Sequence, residues 1–233
     1  MIGICKCKLE DYAGAIIDFS NAIELDPYNA NAYNGRGIAK KNLKDYSGAI
    51  EEYSKAIEID PFYAKAYDGR GIAKYYLKDF SGAIEEYSKA IEIDPFYAYA
   101  YYNRGIVKGD LKDYAGAIED YSKAIEINPN YSNAHYNRGI ANGILKDYTK
   151  ANVDFSKAIE ISPYNAIAYY NRGIAKHYLN DYAGAIVDYS NAIEIDQNYA
   201  DAYYNRGIAK EKNGDLEGAN NDDSIFVNLK NNK

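Results

Sequence analysis

The chain repeats itself every 34 residues, and that period limits what it can fold into more than any other property. The octapeptide YYNRGIAK occupies Tyr169–Lys176 and returns at Tyr203–Lys210, and YYNRGIVK runs from Tyr101 to Lys108. Asp26-Pro27, Asp60-Pro61, Asp94-Pro95, Asn128-Pro129, Ser162-Pro163 and Asp196-Gln197 keep the same step. Counting position 1 at Ala30, Ala64, Ala98, Ser132, Ala166 and Ala200 gives six full units: 30–63, 64–97, 98–131, 132–165, 166–199 and 200–233. Residues 1–29 fit positions 6–34 of a truncated unit, and there is no insertion anywhere. A chain of this kind is expected to be a one-dimensional array in which each unit leans on its neighbours.

Within a unit the apolar spacing is helical. In 98–131, Ala100, Tyr101, Gly105, Val107 and Leu111 fall at steps of three and four, and Ala117, Ile118, Tyr121, Ala124, Ile125 and Ile127 do so again. Lys112-Asp113 is a short polar joint that folds the two helices back on each other, and Asn128-Pro129 ends the second, because proline cannot continue a helix. Each unit therefore reads as an all-α helical hairpin too small to bury its own faces.

These residues resemble the tetratricopeptide repeat, whose motif carries an aromatic at position 4, a small residue at 8, Ala at 20, an aromatic at 24, Ala at 27 and Pro at 32. The unit from Ala64 supplies Tyr67, Gly71, Ala83, Tyr87, Ala90 and Pro95. The resemblance covers the whole chain and implies a right-handed superhelical solenoid of antiparallel helix pairs. The last unit departs from the motif at Asn220, Asp223 and Asn231, which reads as a polar capping helix. At the other end, the missing first turn predicts an exposed apolar edge near Ile2, Ile4 and Leu9, a surface for self-association or for further repeats upstream.

The mid-helix glycines Gly37, Gly71, Gly105, Gly139, Gly173 and Gly207 predict a close helix approach, with Ala49, Ala83, Ala117, Ala151 and Ala185 as small partners. Position 7 is always arginine: Arg36, Arg70, Arg104, Arg138, Arg172 and Arg206. Position 23 is always acidic: Glu52, Glu86, Asp120, Asp154, Asp188 and Asp222. One acid per arginine, in register, predicts a ladder of architectural ion pairs such as Arg172 with Asp188; the alternative is an arginine row for anionic ligands.

Composition narrows the function. No apolar run approaches the roughly 18 residues of a membrane span, and MIGICKCKLEDY lacks a signal core. A net charge of −7 argues against a nucleic-acid partner. Two cysteines, Cys5 and Cys7, cannot build a disulfide framework or a zinc site, so a reduced, cytoplasmic setting is the expectation. His135 stands at an aromatic core position and His177 is expected to face solvent. Ser54, Ser88, Ser122, Ser156 and Ser190 recur too regularly for one active site and are expected on the surface of the second helices, and the sequon Asn130-Tyr131-Ser132 reads as a chance match. No catalytic residue, metal or cofactor is expected.

What remains is a binding surface. In the family, first-helix positions 2, 5, 6, 9, 12 and 13 line the concave face. Position 6 here carries Asn103, Asn137, Asn171 and Asn205, and position 5 carries Tyr102, Tyr136, Tyr170 and Tyr204. This is similar to the asparagine ladder in the repeat domain of the O-linked N-acetylglucosamine transferases, where side-chain amides hold a peptide backbone. The reading is a non-catalytic adaptor whose four solvent-facing amides hold an extended peptide, with Tyr99, Tyr75 and Tyr178 adding aromatic contacts. The alternatives are asparagines that merely bridge neighbouring helices, and a scaffold that assembles through its ends. A chaperone-tail clamp would need Lys at position 5 and Asn at 9, where Ile38, Ile72, Ile106, Ile140, Ile174 and Ile208 stand.

Overall fold

The structure, a computed structural model, describes Cys7 and residues 10–231. The expected apolar edge at Ile2, Ile4 and Leu9 lies outside the described residues. Thirteen helices follow among them: α1 (Tyr12–Leu25), α2 (Ala30–Asn42), α3 (Tyr46–Ile59), α4 (Ala64–Tyr76), α5 (Phe80–Ile93), α6 (Ala98–Asp110), α7 (Tyr114–Ile127), α8 (Ser132–Ile144), α9 (Tyr148–Ile161), α10 (Ala166–Tyr178), α11 (Tyr182–Ile195), α12 (Ala200–Lys212) and α13 (Leu216–Asn231). They form two compact units, divided after Leu111, between the two helices of 98–131.

The local code for these helices is repetitive. Asp11, Asp45, Asp79, Asp113, Asp147 and Asp181 cap α1, α3, α5, α7, α9 and α11, each accepting from the backbone N–H three residues on. The joint before each cap turns through a left-handed residue. Lys44, Lys78, Lys112 and Lys146 have φ of 63°, 66°, 64° and 64°, Asn180 has 61°, and Gly214 has 90°. Only asparagine and glycine tolerate that conformation readily, so the four lysines carry local backbone strain. Where position 32 is no longer proline, α13 runs to Asn231. Among the residues of α13 only Ala219 and Asp222 are buried, as a polar capping helix requires.

In the first unit, α2 packs on α3 and α4 on α5; in the second, α8 packs on α9, α10 on α11 and α12 on α13. First helices also touch the next first helix, α2 to α4 and α4 to α6 in one unit, α8 to α10 and α10 to α12 in the other. Second helices make no such contact among the described residues. Within each unit the first helices therefore take the inside of the curve.

The core answers the glycine question differently from the sequence reading. A Cβ on Gly37, Gly71, Gly139 or Gly173 would meet the position-24 ring of the same repeat, Tyr53, Tyr87, Phe155 or Tyr189, at 2.7–2.8 Å. The alanines are buried beside these rings, but the aromatic is what excludes a side chain. Tyr53, Tyr87, Phe155 and Tyr189 are 0%, 2%, 3% and 1% exposed, and a ring of this size buries about 150–250 Å².

The arginine ladder is present, and it reaches in two directions. Arg172 donates from Nε and Nη2 to Asp188 at 2.9 and 2.6 Å, and Arg206 does the same to Asp222 at 2.8 and 2.7 Å. Arg36 and Arg70 pair with Glu52 and Glu86 at 2.7 and 2.8 Å. The other arm points backward: Nη1 of Arg36, Arg70, Arg104, Arg138, Arg172 and Arg206 donates to Ser20, Ser54, Ser88, Ser122, Ser156 and Ser190 at 2.9–3.1 Å. These serines are half-buried acceptors between repeats, which corrects the surface placement expected from sequence. The position-4 tyrosines lie under the guanidinium, as Tyr169 does under Arg172 at 5.5 Å. Arg36, Arg70, Arg138, Arg172 and Arg206 thus each tie the second helix of their own repeat to that of the repeat before it.

Candidate functional site

The position-6 asparagines are half-buried on the first helices. In the second unit Asn171 donates from Nδ2 to the Tyr136 hydroxyl at 2.9 Å, and Asn205 donates to Tyr170 at 2.7 Å. In the first unit Asn103 donates instead to Asp68 Oδ1 at 2.8 Å, because position 5 there is an acid. Asn103, Asn171 and Asn205 therefore each reach back to position 5 of the previous repeat. The expectation that these amides face solvent in the free protein is corrected: one donor is already used inside the fold. Tyr136 is braced by Phe155 at 5.8 Å and Tyr170 by Tyr189 at 5.8 Å, so the acceptor hydroxyls are held in place. Burial raises the pKa of both phenols, against the hydrogen bonds from Asn171 and Asn205. Both remain protonated and able to donate as well as accept.

Two cavities open beside these amides. The first unit holds one of about 430 Å³ lined by Asn103, Ile72, Ile106, Tyr87, Tyr75 and Tyr76, with Lys41 and Lys44 at its edge. The second holds one of about 290 Å³, with Asn171, Ile140, Ile174, Phe155, Gly143 and Ile144 in the matching places. Tyr46 stacks on Tyr76 at 4.8 Å beside the first, and Tyr148 on Tyr178 at 4.5 Å beside the second. The second cavity has apolar walls with the one amide of Asn171, whereas the first adds Asn42 and the two lysines to Asn103; apolar walls with a few polar groups are the composition expected of a binding site.

Their charge differs. Asp68 is 7% exposed, and burial raises its pKa although Asn103, Tyr97 and Lys41 work against the rise. Lys41 lies near it without a hydrogen bond among the described residues, and burial lowers its pKa against the pull of Asp68. Tyr75 donates to Asp110 at 2.7 Å, and that hydrogen bond, with burial, pushes its pKa up to about 12.

The remaining sequence candidates are scattered differently. Tyr204 is 45% exposed and leans on Phe226 at 5.0 Å. Tyr99 is 59% exposed beside Tyr97. Asn137 and Tyr102 both have partners within the protein. His135 is buried, its Nε2 on the Pro129 carbonyl at 3.1 Å and its Nδ1 3.6 Å from Asp154. His177 is half-buried, packed edge-on to Tyr182, rather than facing solvent. Asp68 and Lys41 were missed by the sequence reading. The signal was there, since Asp68 is the acid in a column of tyrosines.

Matches to family models agree with this geometry. Models described as tetratricopeptide repeat match residues 30–63, 98–131 and 121–151, and a TPR repeat model matches 71–112 and 175–214. The chain belongs to the tetratricopeptide repeat family. No curated protein matches it in sequence. Among solved structures, the C-terminal part of a TPR repeat-containing protein from Cytophaga hutchinsonii is similar at TM-score 0.79 and 21% identity, covering 98% of this chain and 94% of that one. MamA is similar at TM-score 0.68 and 26% identity, covering 70% and 95%. YrrB, described as a TPR protein with an unusual peptide-binding site, is similar at TM-score 0.67 and 25% identity, covering 79% and 95%. No helix among the described residues is long and apolar enough to cross a membrane.

Proposed function

We propose that this tetratricopeptide repeat protein is a non-catalytic interaction module that holds extended peptide segments of a protein partner against the inner faces of its first helices. The observation that carries the reading is the half-used amide. Asn103 and Asn171 each donate one N–H to the preceding repeat and keep a carbonyl oxygen and a second N–H beside an apolar cavity. One acceptor and one donor are what a peptide unit needs, whatever its side chain. The internal bond fixes the amide plane, so the ligand does not bear the entropy of orienting it. YrrB supports the assignment as a similar fold with a peptide-binding site. The cationic first cavity favours ligands with a carboxylate, and the neutral second one favours apolar side chains.

A random-peptide display selection followed by calorimetric titration tests this. Net amide hydrogen bonds are worth about 1 kcal/mol each, so Asn137→Ala with Asn171→Ala is expected to weaken a selected peptide by about 2 kcal/mol, roughly thirtyfold. Asn171 also bridges to Tyr136, so Tyr136→Phe is the control that removes the bridge and leaves the amide. Unchanged affinity in the double variant, or no selectable peptide, overturns the reading.

A further inference from the structure

The most exposed large apolar side chains among the described residues gather at one kind of turn. Leu25, Tyr28, Phe62, Phe96 and Tyr164 are 79–89% exposed, and each lies where a second helix ends. In the first unit three rings, Tyr28, Phe62 and Phe96, stand at consecutive turns, each directly after the proline. These turns are built alike. A side-chain oxygen of Asp26, Asp60 or Asp94 accepts from the backbone N–H of the ring residue at 3.1, 3.0 and 3.0 Å. The carbonyl of the same aspartate accepts from the residue after the ring at 3.2, 3.2 and 3.1 Å. The helices these turns open, α2, α4 and α6, touch in succession, so the three rings share one edge of the unit. The first amide-lined cavity lies at the far ends of those helices, with Lys41, Tyr75 and Tyr76.

The edge is negative as well as aromatic. No arginine or lysine pairs with Asp26, Asp60 or Asp94 among the described residues, and α1, α3 and α5 end here without a basic residue in the last turn. The partial negative charge of their last carbonyls therefore adds to the carboxylates instead of being offset. We propose that this edge docks an arginine-bearing segment of a protein partner, one guanidinium to each ring and its aspartate. A guanidinium is flat, so it stacks on a ring while its N–H edge turns to a carboxylate; an ammonium has no such face. An apolar partner would strip water from three aspartates and put nothing in its place. The hydrogen-bonded turns hold the rings on fixed backbone, which limits what docking has to order. The second unit lacks the combination. Asn130 and Asn198 stand where the ring would be, and Tyr164 follows Ser162 instead of an acid.

The test titrates the full chain, by fluorescence anisotropy, with a labelled peptide of three arginines spaced by glycine and serine, and with its three-lysine counterpart. The arginine peptide is expected to bind saturably and about threefold or more tighter than the lysine one. Tyr28→Ser with Phe62→Ser and Phe96→Ser removes the rings at unchanged net charge. It is expected to weaken the arginine peptide about tenfold or more, each exposed cation–π contact contributing a factor of about two to five. Asp26→Asn with Asp60→Asn and Asp94→Asn keeps the oxygen that closes each turn and is expected to weaken it as well. Since the rings are exposed, the ring variant should melt with the wild type. Equal binding of the two peptides, or binding untouched by the ring variant, means plain attraction of a cationic peptide to an acidic chain and overturns the proposal; so does no binding. Loss of binding in Asn137→Ala with Asn171→Ala puts the peptide in the groove and overturns it too. A wild-type dimer that the ring variant loses does the same, because a second copy would then be the occupant.

Discussion

The amide bridge is built with two kinds of acceptor, and the contrast between the units shows what surrounds each. In the second unit Asn171 and Asn205 rest on tyrosine hydroxyls, neutral groups whose rings are packed against the aromatic core. In the first, Asn103 rests on Asp68, a carboxylate with amide and phenol donors and a lysine nearby but no ion pair at bonding distance. The paired carboxylates of the ladder are buried as deeply, yet each has an arginine. A buried acid is thus tolerated in two ways: gripped by cations, or held by amide and phenol donors with its pKa raised by burial.

The largest effect separates these two kinds of acid. Arg172→Ala leaves Asp188 buried and uncompensated and is expected to cost about 3–5 kcal/mol, with Arg172→Leu plus Asp188→Leu recovering much of it. Asp68→Asn, by contrast, is expected to leave stability at neutral pH unchanged or higher. Urea denaturation of the three variants decides; wild-type behaviour in Arg172→Ala would break the distinction.

The charged cavity should differ from the neutral one in binding. Lys41→Met with Lys44→Met is expected to weaken carboxylate-bearing peptides by about 1.5–3 kcal/mol, a tenfold loss or more, and to flatten the salt dependence. Peptides anchored beside Asn171 should be indifferent. Calorimetry at two salt concentrations reads both.

Acid titration sharpens the contrast by sign. Asp68 has its folded pKa raised, so the fold binds its proton more tightly than the unfolded chain, and this contribution is lost as pH rises from about 3.8 through the folded value. Asp222 is the reverse. Burial raises it, but Arg206 and Lys210 outweigh that and hold it below 3.8, so its contribution is present above that value and lost as pH falls through the folded one. Asp68→Asn should remove the first dependence and Asp222→Asn the second, measured as unfolding free energy from pH 3 to 7. Smallest of all, Lys78→Gly relieves a left-handed residue and is expected to stabilise by a few tenths to about 1 kcal/mol.

The period made the helical hairpins and the Arg172–Asp188 pair legible in advance, because every copy votes for the same local structure. Cross-repeat contacts were harder to read. Ser156 looks like a surface residue until the next repeat places Arg172 beside it. Asn171 looks like a free amide until Tyr136 is found 35 residues upstream. A single unit written as a helical wheel holds no information about its neighbour's phase. Lys78 at φ 66° was invisible for another reason: nothing in its side chain advertises a left-handed turn.

The arginine's equal reach, 16 residues forward to the acid and 16 back to the serine, has a consequence for how such a gene can change. Excising or copying any 34-residue cassette brings an arginine to the same distance from a serine and an acid across the splice. The amide finds a position-5 side chain in the same way. The contacts are written in relative addresses, so the array can be shortened or lengthened by recombination at any point without a new interface having to be invented at the seam.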